Sequence, residues 1–226
     1  MIKTFRFDSK FKIGNSEFCN MARKLFLDIE TIPAGEESLE KLKILYDKKG
    51  KEGESFEDFV AKTSFDGTFG RILCIGYAVD DQASDVFYNE DNERKTLEDF
   101  WALARTCGLF VGHNVMDFDL RFIYQRSMVL GVRPSVDLNF ARYRNFPIFD
   151  TMREWTKWSM GNVGLEALAF ALDIPSPKGE GIDGSQVYAF YKNGKIKDIL
   201  EYCKRDVDTT REVYKKMTFQ NQPTLF

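Results

Sequence analysis

The sequence feature that most constrains the fold is the apolar run KLFLDIETIP at residues 24–33. The run is short and rich in β-prone residues, which predicts a buried strand. Side chains two apart on a strand share a face, so Asp28 and Glu30 point one way while Leu27 and Ile29 point the other. Two carboxylates are therefore expected together at the end of a strand that is otherwise apolar.

Such a pair of acids has two interpretations. Asp28 and Glu30 repel each other and lose hydration on burial, so they need a compensating cation or must take up protons. Hard divalent ions such as Mg²⁺ or Mn²⁺ prefer carboxylate oxygens and would compensate them. In the alternative, the strand end is exposed and both acids are simply solvated.

Composition restricts the class of protein. The 226 residues, 43% hydrophobic and 15% aromatic, suffice for one sizeable domain with a core. The net charge of −3 gives no global basic surface, so a nucleic-acid partner would be held by local features. No apolar run is long enough to span a membrane.

The cysteines and the histidine limit the kinds of site that the chain can form. Four cysteines form no CxxC pair, and Cys74 and Cys203 fall within apolar patterns, as expected for reduced core residues of a cytoplasmic protein. The single histidine, His113, argues against a histidine-based zinc site or a Ser–His triad.

Hydrophobic periodicity predicts an α/β fold, with a mixed sheet flanked by helices in one domain. The acid- and lysine-rich stretch 36–65 is interpreted as a solvated insertion with helical character. The predicted strands are 25–30, 71–79, 85–88, 109–112 and one near 146–149, and the predicted helices are 94–107, 119–130, 165–172 and about 196–217.

Two further segments carry candidate acids. Asp119 follows an apolar strand and begins a predicted helix, where a carboxylate also suits the helix dipole without any other function. Tyr202 and Asp206 lie four residues apart on one face of the last helix. On their own they are interpreted as a buried hydrogen-bonding pair.

Taken together, these segments resemble the motifs of the DEDD superfamily of 3′–5′ exonucleases. One branch has a histidine five residues before the final aspartate, whereas this chain has Glu201 there and so resembles the tyrosine (DEDDy) branch. The stretches FDT, GLEALAFALDIP and IDGSQV resemble the stand-alone relatives of the proofreading domain of B-family DNA polymerases. The three motifs are Asp28-Ile29-Glu30, Asn114-Val115-Met116-Asp117-Phe118-Asp119 and Tyr202-Cys203-Lys204-Arg205-Asp206.

The resemblance implies a ribonuclease H-like fold over residues 24–217 and hydrolysis of terminal phosphodiesters of single-stranded DNA to nucleoside 5′-monophosphates. It also implies two divalent ions, Mg²⁺ or Mn²⁺, and a tyrosine that positions the attacking water. The implied metal ligands are Asp28, Glu30, Asp119 and Asp206, the tyrosine is Tyr202, and the implied substrate contacts are Thr31, Asn114 and Phe118.

Several alternatives stay open at this point. An RNA 3′–5′ exonuclease of the ribonuclease D-like type would use the same acids, and a non-catalytic nucleic-acid-binding module could keep the fold. The segment ARYRNF at 141–146 mixes arginine with aromatic residues, which suits contact with a single strand, but it is equally compatible with a solvated loop.

Both ends of the sequence carry hypotheses of their own. Residues 1–23 are an N-terminal extension that either adds a strand or precedes a natural start at Met21. The tail 218–226 ends in QPTLF, which resembles the pentapeptide by which bacterial proteins dock on the DNA sliding clamp. Gln222, Leu225 and Phe226 would make that contact, unless the two apolar side chains instead fold back on the core.

Overall fold

The computed structural model describes residues 22–90, 92–175 and 182–220, and within them five strands form one mixed sheet in the order β3-β2-β1-β4-β5. The central strand, β1, is antiparallel to β2 and parallel to β4. The strand β5 continues the parallel side, and β3 forms an antiparallel pair with β2. The strands are β1 (Lys24–Ile32), β2 (Arg71–Val79), β3 (Asp85–Phe87), β4 (Leu109–Gly112) and β5 (Ile148–Asp150).

Helices flank both faces of this sheet, which confirms the predicted α/β class. Short 3₁₀ helices at Glu36–Ser38, Lys62–Phe65 and Gly184–Gln186 join some of the longer elements. The α-helices of the described residues are α1 (Leu39–Lys49), α2 (Phe56–Ala61), α3 (Glu93–Ala104), α4 (Asp119–Leu130), α5 (Thr151–Thr156), α6 (Leu165–Ala171), α7 (Val187–Lys192) and α8 (Ile196–Met217).

Most predicted elements are confirmed, several with their bounds. The bounds of β2, β4, α4 and α8 agree with the prediction, whereas β3 ends one residue earlier than predicted and β5 begins two residues later. The short helices α5 and α7 were not predicted. Each has only six residues, too few for a helical periodicity to stand out in the sequence.

The two faces of β1 are buried against different helices. Leu25 and Leu27 face a core built with α3 and α4, in which Phe100 is fully buried. Phe26 faces α8 and contacts Tyr214 edge to face, with ring centroids 5.5 Å apart. The predicted alternation along this strand is therefore confirmed, and Asp28 and Glu30 lie on the α8 side.

The insertion after β1 is more tightly held than the sequence indicated. Helices α1 and α2 share a small aromatic cluster around Tyr46, and Leu42 is buried. The following 3₁₀ helix is tied to the end of β1, because Thr31 Oγ1 donates a hydrogen bond to the carbonyl of Ser64 at 2.7 Å. The stretch 36–65 is helical and largely solvated as predicted, since Leu42 is its one buried residue, but its contact with β1 was not predicted because helical periodicity does not reveal a bond made by a loop hydroxyl.

None of the helices in the described ranges combines the length and apolarity needed to cross a membrane.

Candidate active site

The candidate site lies beside an irregularity in the pairing of β1 with β2, near the end of β1. Asp28 is paired with Gly76 of β2 and Glu30 with Cys74, and the register then shifts between Glu30 and Thr31. Such irregularities in a ladder re-aim side chains and often lie beside active sites. Gly76 also lets α8 approach closely, since a Cβ there would lie only 2.8 Å from the Cys203 sulfur.

A third acid reaches the same strand end from α4. Asp119 is the first residue of that helix and is only 3% exposed. Its Oδ1 accepts a hydrogen bond from the backbone N–H of Ile29 at 3.0 Å. Because Ile29 separates Asp28 from Glu30, this bond fixes Asp119 against the first acidic motif, 90 residues earlier in the chain.

The loop that carries Asp119 is held by a buried acid that the sequence analysis did not assign to the site. Asp150, at the end of β5, accepts hydrogen bonds from the backbone N–H groups of Asn114 and Met116, each at 3.1 Å. It also caps α5 through the N–H groups of Met152 and Arg153. The sequence signals were the stretch FDT, which contributed to the family resemblance, and the position of Asp150 at the end of a short predicted strand.

The last helix brings the third motif. The Tyr202 hydroxyl donates a hydrogen bond to the Asp206 carboxylate one helical turn away. Between them, the Cys203 thiol donates to Asp28 Oδ2 at a sulfur–oxygen distance of 3.6 Å. Cys203 is a buried core residue as predicted, but its contact with a candidate ligand could not be inferred from the sequence.

The crowding of these acids shows in their pKa values. Burial, followed by the charges of Asp119 and Asp206, raises the pKa of Asp28 well above its ordinary value. Burial followed by the Asp28 charge does the same for Glu30. Burial raises the pKa of Asp119 to about 7 and that of Asp206 to about 6. Four ionised carboxylates are therefore unfavourable here without compensating positive charge.

The pKa of Tyr202 does not suit a residue that accepts a proton. Burial and the neighbouring Asp206 charge raise the pKa of the Tyr202 phenol above its ordinary value. The phenol therefore stays protonated at neutral pH. It can donate or accept a hydrogen bond, but it cannot act as a base.

The sequence of this chain matches a family model described as a predicted 3′–5′ exonuclease related to the exonuclease domain of PolB. The match spans residues 68–223, well over half of the chain, and it includes Asp119, Tyr202 and Asp206. The chain belongs to this family. It is a hydrolytic exonuclease by class, and the first acidic motif, at Asp28 and Glu30, lies upstream of the matched region.

The fold of the exonuclease is also similar to a solved structure. The family B DNA polymerase from the hyperthermophilic archaeon Pyrobaculum calidifontis superposes with a TM-score of 0.61 at 18% sequence identity. The match covers 87% of this chain but only 24% of the polymerase, so the exonuclease spans about a quarter of that protein. The likeness confirms the predicted ribonuclease H-like fold. No curated protein matches the sequence.

The donor set of the exonuclease suits divalent metal ions. Ligand atoms of Asp28, Glu30 and Cys203 all lie within 4.8 Å of one another. In the part of the chain that the structure describes, no lysine or arginine forms an ion pair with any of the four acids. A hydrogen bond with Cys74 and burial raise the pKa of the Cys203 thiol, so the carboxylate oxygens are the better ligands.

Three of these acids, Asp28, Glu30 and Asp206, line a cleft of about 810 Å³, whereas Asp119 is buried against Ile29. Thr31 and Phe118, two of the three predicted substrate residues, line it, although the Thr31 hydroxyl is already bonded to Ser64. Asn114 lies instead in the loop held by Asp150, with φ of 60° and a buried Oδ1 that has no partner among the described residues. The insertion forms the opposite wall, with Lys51, Glu52, Glu54, Asp58, Lys62 and Phe65.

The remaining sequence hypotheses lie elsewhere. His113 bonds through its two ring nitrogens to Thr151 Oγ1 at 2.9 Å and to the Val163 carbonyl at 2.8 Å, which makes it a structural residue of the loop. The predicted clamp-binding residues, Gln222, Leu225 and Phe226, lie outside the described residues, as does the extension up to residue 21.

Proposed function

We propose that the exonuclease removes nucleotides from the 3′ ends of single-stranded DNA and releases nucleoside 5′-monophosphates. The observation that carries this proposal is the convergence of four carboxylates from β1, α4 and α8, three of which, Asp28, Glu30 and Asp206, line an open cleft. Asp119 contacts β1 directly, and the charges of Asp119 and Asp206 both act on Asp28. An end of a polymer can enter such a cleft, whereas a closed cavity would admit only a small molecule.

Two divalent ions, Mg²⁺ or Mn²⁺, would be held by Asp28, Glu30, Asp119 and Asp206. When bound, they would supply an acidified water as nucleophile and positive charge near the departing 3′ oxygen. The raised pKa values support this assignment, because the carboxylates gain most from a cation where their mutual repulsion is strongest.

The chain's own residues would orient the reactants. Tyr202 keeps its proton and is anchored to Asp206, so its role is to hold the attacking water in line with the phosphorus rather than to deprotonate it. Phe118 lines the cleft while part of its ring packs against the core, and the part that faces the cleft would stack on the terminal base. Thr31 anchors the opposite wall through Ser64.

The test uses two matched aspartates of one helix. Asp206 belongs to the acid cluster, whereas Asp208 bonds to Ser84 and Arg211 away from it. We expect Asp206→Asn to abolish degradation at saturating Mn²⁺ and Asp208→Asn to leave it unchanged. The assay follows 3′-labelled and 5′-labelled oligonucleotides with Mg²⁺, Mn²⁺ or chelator, so it reports reaction, polarity and metal dependence together.

Three outcomes would contradict the proposal. Equal activity of the Asp206→Asn protein and the wild type would remove the acid cluster from catalysis. Faster turnover of a matched RNA strand than of DNA would make the protein an RNA exonuclease. Binding of either strand without any cleavage in Mg²⁺ or Mn²⁺ would make it a non-catalytic module.

The clamp hypothesis remains a prediction from the QPTLF tail. Deleting residues 222–226 should abolish capture of the protein by immobilised sliding clamp and leave degradation of short oligonucleotides intact. Unchanged capture would refute it.

A further inference from the structure

A second cleft, of about 330 Å³, lies on the other side of the segment that carries the second acidic motif. Phe118 lines the catalytic cleft, whereas the preceding Met116 and Asp117 line this one. Its remaining wall comes from α4, from the loop before β5, and from α5 and the residues after it. Because β1, β4 and β5 run parallel, both clefts open at the edge where these strands end.

The two clefts have opposite charge. The catalytic cleft is lined by six acids and two lysines, so without ions it repels a polyanion. The second cleft is lined by three arginines, Arg121, Arg142 and Arg153, and one acid, Asp117. Asp117 bonds to Arg153 at 3.0 Å and to Arg121 at 3.3 Å, whereas Arg142 forms no ion pair within the described ranges. A net positive charge therefore remains for an anionic partner.

Aromatic residues accompany this charge. Tyr143 is 75% exposed, and its ring centroid lies 5.4 Å from that of Trp158. Both residues have φ of 63°, in the left-handed region that bulky side chains rarely adopt. Trp158 is partly buried against the core, whereas burial does not account for the exposed Tyr143 ring. Backbone strain of this kind is often found at functional sites.

We infer that the second cleft binds the single strand upstream of the nucleotide being removed, with its arginines on phosphates and its Tyr143–Trp158 pair stacked on a base. This inference rests on the proposed function and adds a second binding site for the same substrate. The combination of a positive groove with open aromatic rings is the usual means of binding single strands without sequence preference. For the segment ARYRNF, the inference favours contact with a single strand over a solvated loop, because Arg142 and Tyr143 line the cleft and Trp158 provides a ring partner that the local sequence did not reveal.

Binding is measured separately from cleavage. Metal-free Asp28→Ala protein is titrated with a fluorescently labelled single-stranded oligonucleotide, and anisotropy gives Kd over a range of salt concentrations. Adding Tyr143→Ala or Trp158→Ala should raise Kd about 5- to 100-fold, the loss expected for one stacked base. Adding Arg142→Ala should also lower the slope of log K against log salt by about 0.7, the value for one phosphate contact.

The matched control is Arg133→Ala. Arg133 is exposed like Arg142, but it follows the far end of α4 and lines neither cleft. Unchanged Kd in the Tyr143→Ala and Arg142→Ala proteins relative to this control would overturn the inference. Tyr143 is mostly exposed, so its replacement keeps the test valid even where a Trp158 variant fails to fold.

Kinetics on two substrates separate this inference from the proposed function. In the otherwise wild-type enzyme, the Tyr143 and Arg142 variants should raise KM for an oligonucleotide while kcat/KM for thymidine 5′-p-nitrophenyl phosphate stays unchanged, because that ester has no upstream strand. An equal loss on both substrates would overturn the inference. Failure of the wild type to cleave either substrate would overturn the proposed function, while the binding titration would still decide the second cleft.

Discussion

Removing the charge of Asp119 should make the metal-free protein less sensitive to alkaline pH. In the folded protein, burial raises the pKa of this carboxyl to about 7 from an ordinary value of 3.8. The folded state therefore binds a proton more tightly than the unfolded state. Between these two pKa values the free energy of unfolding falls as the pH rises, because the unfolded chain releases the proton first.

The size of the effect follows from the pKa difference of about three units. One unit corresponds to about 1.4 kcal/mol, so the contribution of Asp119 to the free energy of unfolding is about 4 kcal/mol. This contribution is fully present below pH 4 and absent above pH 7. Of this, roughly 2.5 kcal/mol is lost between pH 5 and pH 8. Asp119→Asn should lack this loss, since the amide oxygen still accepts the Ile29 N–H bond but does not ionise.

The measurement is urea unfolding in EDTA at pH 5 and pH 8. From pH 5 to pH 8, the free energy of unfolding of the wild type should fall by about 2.5 kcal/mol more than that of Asp119→Asn. Asp47→Asn, a change at a solvent-exposed ion pair, serves as the control and should follow the wild type. Adding Mn²⁺ at pH 8 to a hundred times its Kd should return about 2.7 kcal/mol to the wild type. If the wild type and Asp119→Asn respond alike to pH, the electrostatic account of the cluster is wrong.

Three further changes test other parts of the structure. Asp150→Ala should cost about 2–5 kcal/mol in urea unfolding and lower kcat, because the N–H groups of Asn114 and Met116 lose their acceptor; Asp150→Asn, which keeps one acceptor oxygen, should cost less. Tyr202→Phe should slow turnover about 10- to 100-fold without changing the shape of the pH–rate profile, and the loss of a limb that the wild type shows would contradict its positioning role. Arg126→Ala should cost about 3–5 kcal/mol by stranding the buried Glu93 carboxylate, which accepts two 2.8 Å bonds from that guanidinium, while the kcat of the folded fraction stays unchanged.

The parts of the fold that the sequence predicted are those set by local pattern. The apolar alternation of β1 determined which face carries Asp28 and Glu30, and the long stripe of α8 determined where Tyr202 and Asp206 lie. In both cases a period of two or 3.6 residues, repeated often enough, shows which face of the strand or helix a side chain lies on, even when the element packed against that face is unknown.

The parts that escaped prediction depend on contacts between distant segments. Asp150 gains its role from backbone N–H groups 34 and 36 residues earlier, and no side-chain pattern records such a bond. The docking of the insertion depends on the hydroxyls of Thr31 and Thr63, which are common loop residues. The contact of Cys203 with Asp28 spans 175 residues and arises only because Gly76 admits the helix.

The four acids of the proposed catalytic site are scattered along the chain, which has a consequence for when the protein can be active. A ribosome adds Asp206 long after Asp28, so a growing chain holds at most three of the four carboxylates until α8 has been synthesised and has folded onto the sheet. The same holds for a molecule whose last helix has come loose through heat, proteolysis or damage. If the four acids act as proposed, hydrolysis is restricted to molecules that have completed folding, and partly made copies cannot degrade the cell's nucleic acids.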